Sequence, residues 1–441
     1  MRVSVIGTGH VGLTTAACLA HVGHEVLGVD DDAEKAATIA RGEAPFHEPG
    51  LLDLVREGLD TGRLRISTDL PEASRHAEVA FVCVGTPTKE TGEANLVQVE
   101  RVATLVARNL EGYTVVAEKS TVPVETGHWV RRTMETEAPA GAEFDVASTP
   151  EFLREGRAVQ DTLEPDRIVI GASSDRAVGR LREVYRPIVD RAGCPVIVTD
   201  LATAELIKHS SNAFLATKIS FANSIADICE RTGADIEVVA QAMGMDPRIG
   251  PAFLRAGIGY GGSCFPKDVR AYRYRAEQLG VDFEILAAVE RVNEARIPAF
   301  VERIRSVLWN LEDKRIAVWG LAFKPETDDL RHAPALEVIE HLREAGAQVV
   351  AHDPVAIPAA KHLLPDVSFS DDVYEAARGA HCVAICTEWP EYASVDLERL
   401  KEVMSRPVIV DGRNVLHPEG AAAAGFVYAS AGRPTVQPTD R

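Results

Sequence analysis

Short apolar runs alternate with amphipathic segments along the first 200 residues of the chain. Runs rich in Val, Ile and Ala predict strands at 2–7, 25–30, 79–84, 114–118, 145–148, 167–170 and 195–199. Segments between them, such as 97–110 and 175–189, carry their apolar residues at helical spacing. This alternation of strand and helix is typical of a mostly parallel sheet with helices on both faces.

The stretch from Leu201 to Arg231 differs, because it contains neither Gly nor Pro. Small and apolar residues dominate one face, which predicts a long helix that is buried along much of its length. Further helical patterns occupy 235–243 and 283–310, and residues 244–268 between them are rich in Gly and Pro. We expect a loop at 244–268, and a loop of that length within a compact domain usually has a function.

The strand pattern returns after Lys314, with apolar runs at 315–319, 348–351, 381–385 and 408–410. The prediction is therefore an α/β fold with two doubly wound, Rossmann-like domains joined by a long central helix. The predicted boundaries are 1–200 for the first α/β domain, 201–310 for the helical domain, 311–430 for the second α/β domain and 431–441 for a flexible tail.

The composition limits the classes of partner. The chain has 441 residues and a net charge of −19, from 47 Lys and Arg against 66 Asp and Glu. Such a surface repels nucleic acid and anionic lipid, so we expect neither as a partner. Seven cysteines without paired CxxC spacing indicate reduced thiols and a cytoplasmic protein. The chain starts directly in a strand pattern, and no apolar run approaches the ~18 residues of a membrane span.

A glycine-rich turn follows the first predicted strand. In it, Gly7 permits the tight turn, Gly9 lets a pyrophosphate approach the backbone, and Gly12 lets the next helix pack close to the strand. Asp30 ends the second strand, where its carboxylate would accept hydrogen bonds from a ribose diol. The two aspartates that follow would repel a 2′-phosphate, so NAD is favoured over NADP.

The second informative motif is the loop Gly259-Tyr260-Gly261-Gly262-Ser263-Cys264-Phe265-Pro266-Lys267-Asp268. A cysteine is most often a buried small apolar residue. Here the glycines leave room for a ligand, and Pro266 can begin a helix whose N-terminus would lower the pKa of the Cys264 thiol. A thiolate at this position could attack an aldehyde.

Lys208 and Asn212 are four residues apart on the long predicted helix and therefore share a face. By default the lysine reaches toward solvent and the amide caps a neighbouring group. The alternative interpretation is a pair of donors for an oxyanion, or a lysine that transfers protons.

Other polar residues follow the ends of predicted strands, where ligands bind in open α/β sheets. Thr121, Glu151 and Glu155 do so in the first half of the chain, and Lys324, Arg331 and Arg413 in the second. The basic residues could bind a diphosphate, although solvation at the surface is the commoner fate of an arginine. No spacing of His, Cys, Asp and Glu suggests a metal site.

Several motifs in this order resemble the UDP-glucose 6-dehydrogenase family, within the wider UDP-glucose/GDP-mannose dehydrogenase group. The resemblance runs from Met1 to about Val415. It is carried by the glycine turn, Ser120-Thr121-Val122-Pro123, Glu151-Phe152-Leu153-Arg154-Glu155-Gly156, Ala204-Glu205-Leu206-Ile207-Lys208 with Asn212-Ala213-Phe214-Leu215, Asp246-Pro247-Arg248-Ile249-Gly250, the cysteine loop, and Phe323-Lys324-Pro325 with Thr327-Asp328-Asp329.

The resemblance implies an NAD-dependent, four-electron oxidation of UDP-glucose to UDP-glucuronate by a homodimer. Cys264 would be the nucleophile that holds the thiohemiacetal and then the thioester. Lys208 and Asn212 would stabilise the oxyanion, and Asp268 would act with Lys208 in proton transfer. Thr121 and Glu151 would order a catalytic water, with Glu151 as a possible base.

The resemblance also implies the binding residues and the domain roles. NAD would bind the first domain and the UDP-sugar the second, and the long helix would carry much of the dimer interface. Arg248 would reach the sugar bound by the neighbouring subunit. The expected cofactor contacts are Gly7, Gly9, His10, Val11, Gly12, Asp30, Lys35, Thr86, Thr121, Glu155 and Arg331. The expected substrate contacts are Glu151, Phe152, Leu153, Lys208, Asn212, Arg248, Phe253, Tyr260, Gly261, Phe323, Lys324 and Arg413. At His10 the family often has an aromatic residue, which should affect packing on the cofactor rather than the chemistry.

Three alternatives stay open. The substrate could be GDP-mannose or a UDP-N-acetylhexosamine, since contacts to the sugar 2-position cannot be read from the sequence. A single-hydride dehydrogenase of the hydroxy-acid type would share the glycine turn but would not need Cys264. A non-catalytic sensor would bind both ligands and produce no NADH.

Overall fold

The computed structural model describes residues 1–439. The chain divides into two compact units, which we describe separately. The first contains Met1–Ser211 and Arg270–Val281, and the second contains Asn212–Val269 and the chain from Asp282 onward. No helix among the described residues is both long enough and apolar enough to cross a membrane.

The first unit is built on an eight-stranded sheet with the order β3-β2-β1-β4-β5-β6-β7-β8. Its strands are β1 (Arg2–Ile6), β2 (Glu25–Val29), β3 (Leu64–Ser67), β4 (Val79–Val82), β5 (Thr114–Glu118), β6 (Phe144–Ser148), β7 (Ile168–Ala172) and β8 (Val196–Thr199). Its helices are α1 (His10–His21), α2 (Ala33–Ala40), α3 (Leu51–Asp60), α4 (Leu70–His76), α5 (Val97–Arg108), α6 (Thr126–Glu137), α7 (Ala158–Leu163) and α8 (Asp175–Ala192).

The sheet is parallel except where β6 meets β7, with Ala147 opposite Ala172. The central strands β4 and β5 are buried at every position, as expected for strands covered by helices on both faces. The strand order reverses between β1 and β4. In an open α/β sheet, this reversal marks the crevice where a dinucleotide binds.

Two helices belong to both units. Helix α9 (Leu201–Thr232) starts in the first and ends in the second, and α11 (Phe265–Gln278) starts in the second and ends in the first. The 32 residues of α9 confirm the predicted long helix. The predicted loop at 244–268 is too long, because residues 265–268 already belong to α11.

The second unit contains a six-stranded sheet with the order β11-β10-β9-β12-β13-β14. Its strands are β9 (Arg315–Trp319), β10 (Gln348–His352), β11 (Ser368–Phe369), β12 (Cys382–Ile385), β13 (Val408–Asp411) and β14 (Val427–Ser430). Its helices are α10 (Ile236–Gly244), α12 (Glu284–Glu294), α13 (Arg296–Leu308), α14 (Pro334–Glu344), α15 (Ile357–Leu363), α16 (Val373–Ala377), α17 (Pro390–Ala393), α18 (Leu397–Val403) and α19 (Pro418–Ala423). These six strands follow the same order as β3-β2-β1-β4-β5-β6 of the first unit, with β9 in the place of β1. The shared order confirms the prediction of two doubly wound sheets.

The sequence pattern missed β3, β11 and β14 and merged two helices. β3 and β11 are sheet-edge strands with partly exposed residues, so their apolar signal is weak. The predicted helix at 283–310 is α12 and α13, which meet at Ala295. Pro298 explains the break, since it has no N–H to donate and its ring would clash with the carbonyl of Glu294 in a continuous helix.

The described part of the predicted tail makes backbone contacts. Gly432 accepts a hydrogen bond from the Ile236 N–H, and Val436 pairs with Tyr428. Asp440 and Arg441 lie outside the described residues, and the flexibility of the tail stays a prediction.

Candidate active site

The glycine turn between β1 and α1 has the geometry of a phosphate-binding turn. Gly7 has φ +92°, and a Cβ there would lie 2.7 Å from the carbonyl oxygen of Cys83. A Cβ on Gly12 would lie 1.7 Å from the carbonyl oxygen of Gly7. A Cβ on Gly9 would meet nothing within 4 Å. Gly7 and Gly12 are therefore required by packing, whereas Gly9 leaves open space at the N-terminus of α1, where a pyrophosphate would bind.

Asp30 lies at the end of β2 and is almost completely buried. Its carboxylate accepts hydrogen bonds from the Thr8 N–H at 2.7 Å and from Lys35 Nζ at 2.9 Å. Burial acts to raise the pKa of Asp30, but these hydrogen bonds outweigh it and lower the pKa below its ordinary value. The residue is thus an ionised acceptor, as a ribose diol requires, and this turn and carboxylate fit NAD.

Other predicted cofactor residues lie around this turn in the first unit. The ring of His10 stacks on Phe46 with 3.8 Å between centroids, so the imidazole takes an aromatic packing role. Val11 packs against the core of the sheet. The hydroxyl of Thr86 donates to the carbonyl of Thr121 at 2.8 Å, which joins the loops after β4 and β5.

Glu151 and Lys208 form a buried ion pair in the first unit. Lys208 Nζ lies 2.8 Å from Glu151 Oε1, and Glu151 Oε2 accepts a hydrogen bond from the Leu153 N–H at 2.7 Å. Lys208 also lies over the ring of Phe152, 5.6 Å from its centroid. The default interpretation that Lys208 reaches toward solvent is therefore wrong, because its side chain is only 6% exposed and is paired with a carboxylate.

A cavity of about 290 Å³ adjoins this pair. Glu151, Phe152 and Leu153 line it, and the Arg167 guanidinium stacks on Phe152, 3.8 Å from the ring centroid. Lys119 also lines the cavity. It is a buried lysine that lies over the rings of Phe81 and Tyr185. The sequence analysis gives Lys119 no role. The sequence signal that could have identified Lys119 is its position directly after β5, since ligands bind at the carboxyl ends of strands in open α/β sheets. Glu155, a predicted cofactor contact, is also buried in this unit.

A second cluster lies in the second unit, around the start of α11. Asn212 Nδ2 donates to Asp268 Oδ2 at 2.6 Å, and Lys267 Nζ donates to Asp268 Oδ1 at 2.6 Å. Asp268 is only 1% exposed, and Lys267 places a positive charge beside it while Asn212 adds a neutral hydrogen bond. Sequence reasoning placed Lys267 near the cysteine but did not identify it as a partner of Asp268.

Cys264 immediately precedes α11 and is exposed, whereas the other six cysteines are buried. Its sulfur lies 3.6 Å from the Ser263 hydroxyl oxygen. The positive end of the helix dipole favours a thiolate at this position. The observation contradicts the interpretation of Cys264 as a core residue and leaves its sulfur accessible to a substrate.

The glycine loop before Cys264 contacts several predicted substrate residues of the second unit. Arg413 donates to the Gly259 carbonyl at 3.0 Å. A Cβ on Gly261 would lie 2.1 Å from the His332 carbonyl oxygen, and one on Gly262 would lie 2.7 Å from the Phe323 ring. The structure thus brings the loop, Phe323 and Arg413 together.

Asn293, which no motif signals, holds the same loop through both backbone groups of Tyr260. Its Oδ1 accepts from the Tyr260 N–H at 2.8 Å, and its Nδ2 donates to the Tyr260 carbonyl at 3.1 Å. The rings of Tyr260 and Phe253 each contact the Phe265 ring edge-on. The backbone of Phe253 is left-handed, with φ +64°.

Three basic residues predicted to contact the ligands also lie in the second unit. Lys324 lies over the Phe323 ring, 5.2 Å from its centroid. Arg331 forms a two-pronged pair with Asp329, and Arg248 pairs with Asp246 while its side chain is 88% exposed. Among residues 1–439, no group of His, Cys, Asp and Glu is arranged to hold a metal ion.

Comparison with known proteins covers both units. The chain is 44% identical to a UDP-glucose 6-dehydrogenase of Bacillus subtilis (strain 168), over 100% of this chain and 95% of that protein. A solved UDP-glucose dehydrogenase of Pyrobaculum islandicum has a TM-score of 0.91 at 39% identity, covering 97% of each chain. A solved UDP-D-ManNAc dehydrogenase of Pyrococcus horikoshii has a TM-score of 0.87 at 28% identity, covering 98% of this chain and 99% of that one.

Family models agree with this comparison and with the geometry. Residues 1–189 match the NAD binding domain of the UDP-glucose/GDP-mannose dehydrogenase family, 202–295 match its central domain, and 317–418 match its UDP binding domain. The first match contains the glycine turn, the second contains Cys264, and the third contains Phe323 and Arg413. With matches along most of its length, the chain belongs to the UDP-glucose/GDP-mannose dehydrogenase family.

Proposed function

We propose that this protein oxidises UDP-glucose to UDP-glucuronate with NAD, in two successive two-electron steps. The observation that carries the proposal is the exposed Cys264 at the N-terminus of α11, in a chain that also carries a dinucleotide turn. A thiol is dispensable for one oxidation of an alcohol, but it allows the aldehyde to be held and oxidised again. The identity to UDP-glucose 6-dehydrogenases over the whole chain supports the choice of substrate.

Bound NAD would supply the hydride acceptor, once for each oxidation. Gly7, Gly9 and Gly12 would hold its pyrophosphate, and Asp30 would hold a ribose diol. His10, Val11, Lys35, Thr86 and Thr121 would complete the contacts, together with Glu155 and Arg331.

The remaining chemistry is assigned to side chains of the protein. In the first oxidation a base removes the proton of the C6 hydroxyl as hydride leaves the carbon. The Cys264 thiolate then attacks the aldehyde carbon, and the resulting oxygen takes a proton to give a thiohemiacetal. Loss of that proton and of a second hydride gives a thioester. Water attacks the thioester, the C–S bond breaks, and the acid leaves the regenerated thiolate.

The two clusters supply groups for these steps. We assign oxyanion stabilisation to Lys208 and Asn212, and proton transfer to Lys208 with Asp268. Glu151 and Thr121 are assigned to the hydrolytic water. The ion pair of Glu151 with Lys208 supports this assignment, because it keeps a carboxylate and an ammonium group adjacent, 2.8 Å apart.

We also propose that the protein is a homodimer joined through α9. Phe214, Phe221 and Ile228 are spaced by seven residues and are 64%, 53% and 59% exposed. This spacing puts them in one stripe along the helix, the pattern of a helix that pairs with a second copy of itself. Arg248, with its exposed side chain, is proposed to reach the sugar bound by the partner subunit. We expect a cytoplasmic location, since the chemistry needs Cys264 reduced.

The decisive experiment counts NADH formed for each UDP-glucose consumed. We expect two NADH and UDP-glucuronate as the product. Cys264→Ser should bind NAD normally but should not produce the acid, and full acid production by this variant would contradict the proposal. Parallel assays with GDP-mannose and a UDP-N-acetylhexosamine test the alternative substrates. These sugars are included because a solved UDP-D-ManNAc dehydrogenase is among the structural neighbours.

A further inference from the structure

The loop of residues 119–127, which runs from the end of β5 into the first two residues of α6, is held from two sides within the first unit. On the side of β4, the Ser120 hydroxyl donates to the Val84 carbonyl at 2.7 Å. The Thr86 hydroxyl donates to the Thr121 carbonyl at 2.8 Å. These bonds fix the first part of the loop to the segment that follows β4.

On the other side, α9 holds the loop through two buried side chains. His209 Nε2 lies 2.9 Å from the Val122 carbonyl oxygen, and since that oxygen can only accept, Nε2 carries the proton. Glu205 accepts from the Glu125 N–H and the Gly127 N–H, each at 2.7 Å. Glu205 and His209 are one helical turn apart and therefore project from the same face of α9.

The contacts from α9 act where the backbone of the loop enters α6. Glu125 has φ +80°, a left-handed conformation that residues with a side chain avoid. It occupies the cap position of α6, yet its own side chain makes no capping hydrogen bond. Glu205 instead supplies the acceptor that the first N–H groups of α6 require, from another helix.

We propose that Glu205 and His209 are positioning residues, which act by fixing the 119–127 loop so that Thr121 is held at the cofactor. Both residues are 3% exposed or less, and the His209 ring packs against Tyr272, 5.5 Å between centroids. Their bonds lie on the C-terminal side of Thr121, the Ser120 bond lies on its N-terminal side, and Thr86 bonds the Thr121 carbonyl itself. The inference rests on the proposed function in one respect, the assignment of Thr121 to the cofactor and the hydrolytic water.

The test compares His209→Leu with His209→Gln, whose side-chain amide can replace the donor at Nε2. NAD affinity is measured by fluorescence titration without sugar, and kcat and KM for NAD are measured with UDP-glucose. We expect His209→Leu to weaken NAD binding roughly tenfold, the effect of about one hydrogen bond, and His209→Gln to restore most of it. Ser211→Ala is the matched control, because the Ser211 hydroxyl bonds only within α9, to the Ile207 carbonyl.

Unchanged NAD affinity and unchanged kinetics in His209→Leu would overturn the proposal, and so would a His209→Gln variant as weak as His209→Leu. If His209→Leu does not fold, Glu205→Gln replaces it, since an amide keeps the size of the side chain but can accept only one of the two N–H groups. Native NAD affinity in that variant would also overturn the proposal. Failure of the wild-type protein to oxidise UDP-glucose would contradict the proposed function alone, because the NAD titration uses no sugar.

Discussion

Lys208 and Glu151 form an ion pair of 2.8 Å in which both side chains are almost completely buried. A buried pair contributes little net stability, but removing one partner leaves a charge without compensation. Each side chain therefore depends in part on the other for charge compensation inside the protein. Removing one partner should therefore lower the free energy of unfolding, an effect that can be measured separately from the loss of activity.

Lys208→Met should lower both stability and turnover. The unpaired Glu151 should cost about 3 kcal/mol in the free energy of unfolding, and the loss of an oxyanion donor should lower kcat at least about 100-fold. The double variant Lys208→Met/Glu151→Gln should recover part of the stability and none of the activity. Urea unfolding and NADH production measure the two effects, and a single variant as stable as the wild type would contradict the buried pair.

Gly9 and Gly12 should respond differently to the same substitution. In Gly12→Ala the new methyl group would overlap the Gly7 carbonyl, so we expect a loss of several kcal/mol or failure to fold. Gly9→Ala adds a methyl group to open space and should cost at most about 1 kcal/mol. It should nevertheless weaken NAD binding strongly, because the methyl occupies the space of the pyrophosphate. Thermal unfolding and NAD titration test the pair, and normal NAD binding by Gly9→Ala would show that the cofactor does not approach this backbone.

The sequence predicted features that depend on neighbouring residues and missed those that depend on distant ones. The tight turn at Gly7 and the close packing at Gly12 follow from local sequence, and the structure shows both, while the ribose contact of Asp30 stays a prediction. For Lys208, helical spacing alone leaves both solvent and an oxyanion role open, because it does not reveal that Glu151, far away in the chain, lies beside the lysine. Asn293 and Glu205 have no predicted role for the same reason, since only the fold brings their partners to them.

Phe221→Glu should convert the protein from a dimer into a monomer. Phe221 lies in the middle of the exposed stripe of α9, where a charge would be buried without a partner in the dimer. Val97→Glu is the matched control, because Val97 is 63% exposed and lies on α5 rather than on α9. Light scattering measures the mass of both variants. A dimeric Phe221→Glu variant, or a monomeric wild-type protein, would contradict the proposed interface.

Glu118→Gln should make the protein more stable at neutral pH. Both carboxyl oxygens of Glu118 are buried without a hydrogen-bond partner, and burial, together with the charge of Glu205, raises the pKa of Glu118 well above its ordinary value. Above about pH 4.5 the unfolded chain loses this proton while the folded chain keeps it, so the wild type loses stability as pH rises. A glutamine has no proton to lose, and the advantage of the variant should therefore grow from pH 4.5 upward and disappear below it. Urea unfolding across this range, with the exposed Glu111→Gln as control, measures the difference. Equal stability of Glu118→Gln and wild type at pH 8 would contradict the raised pKa of Glu118.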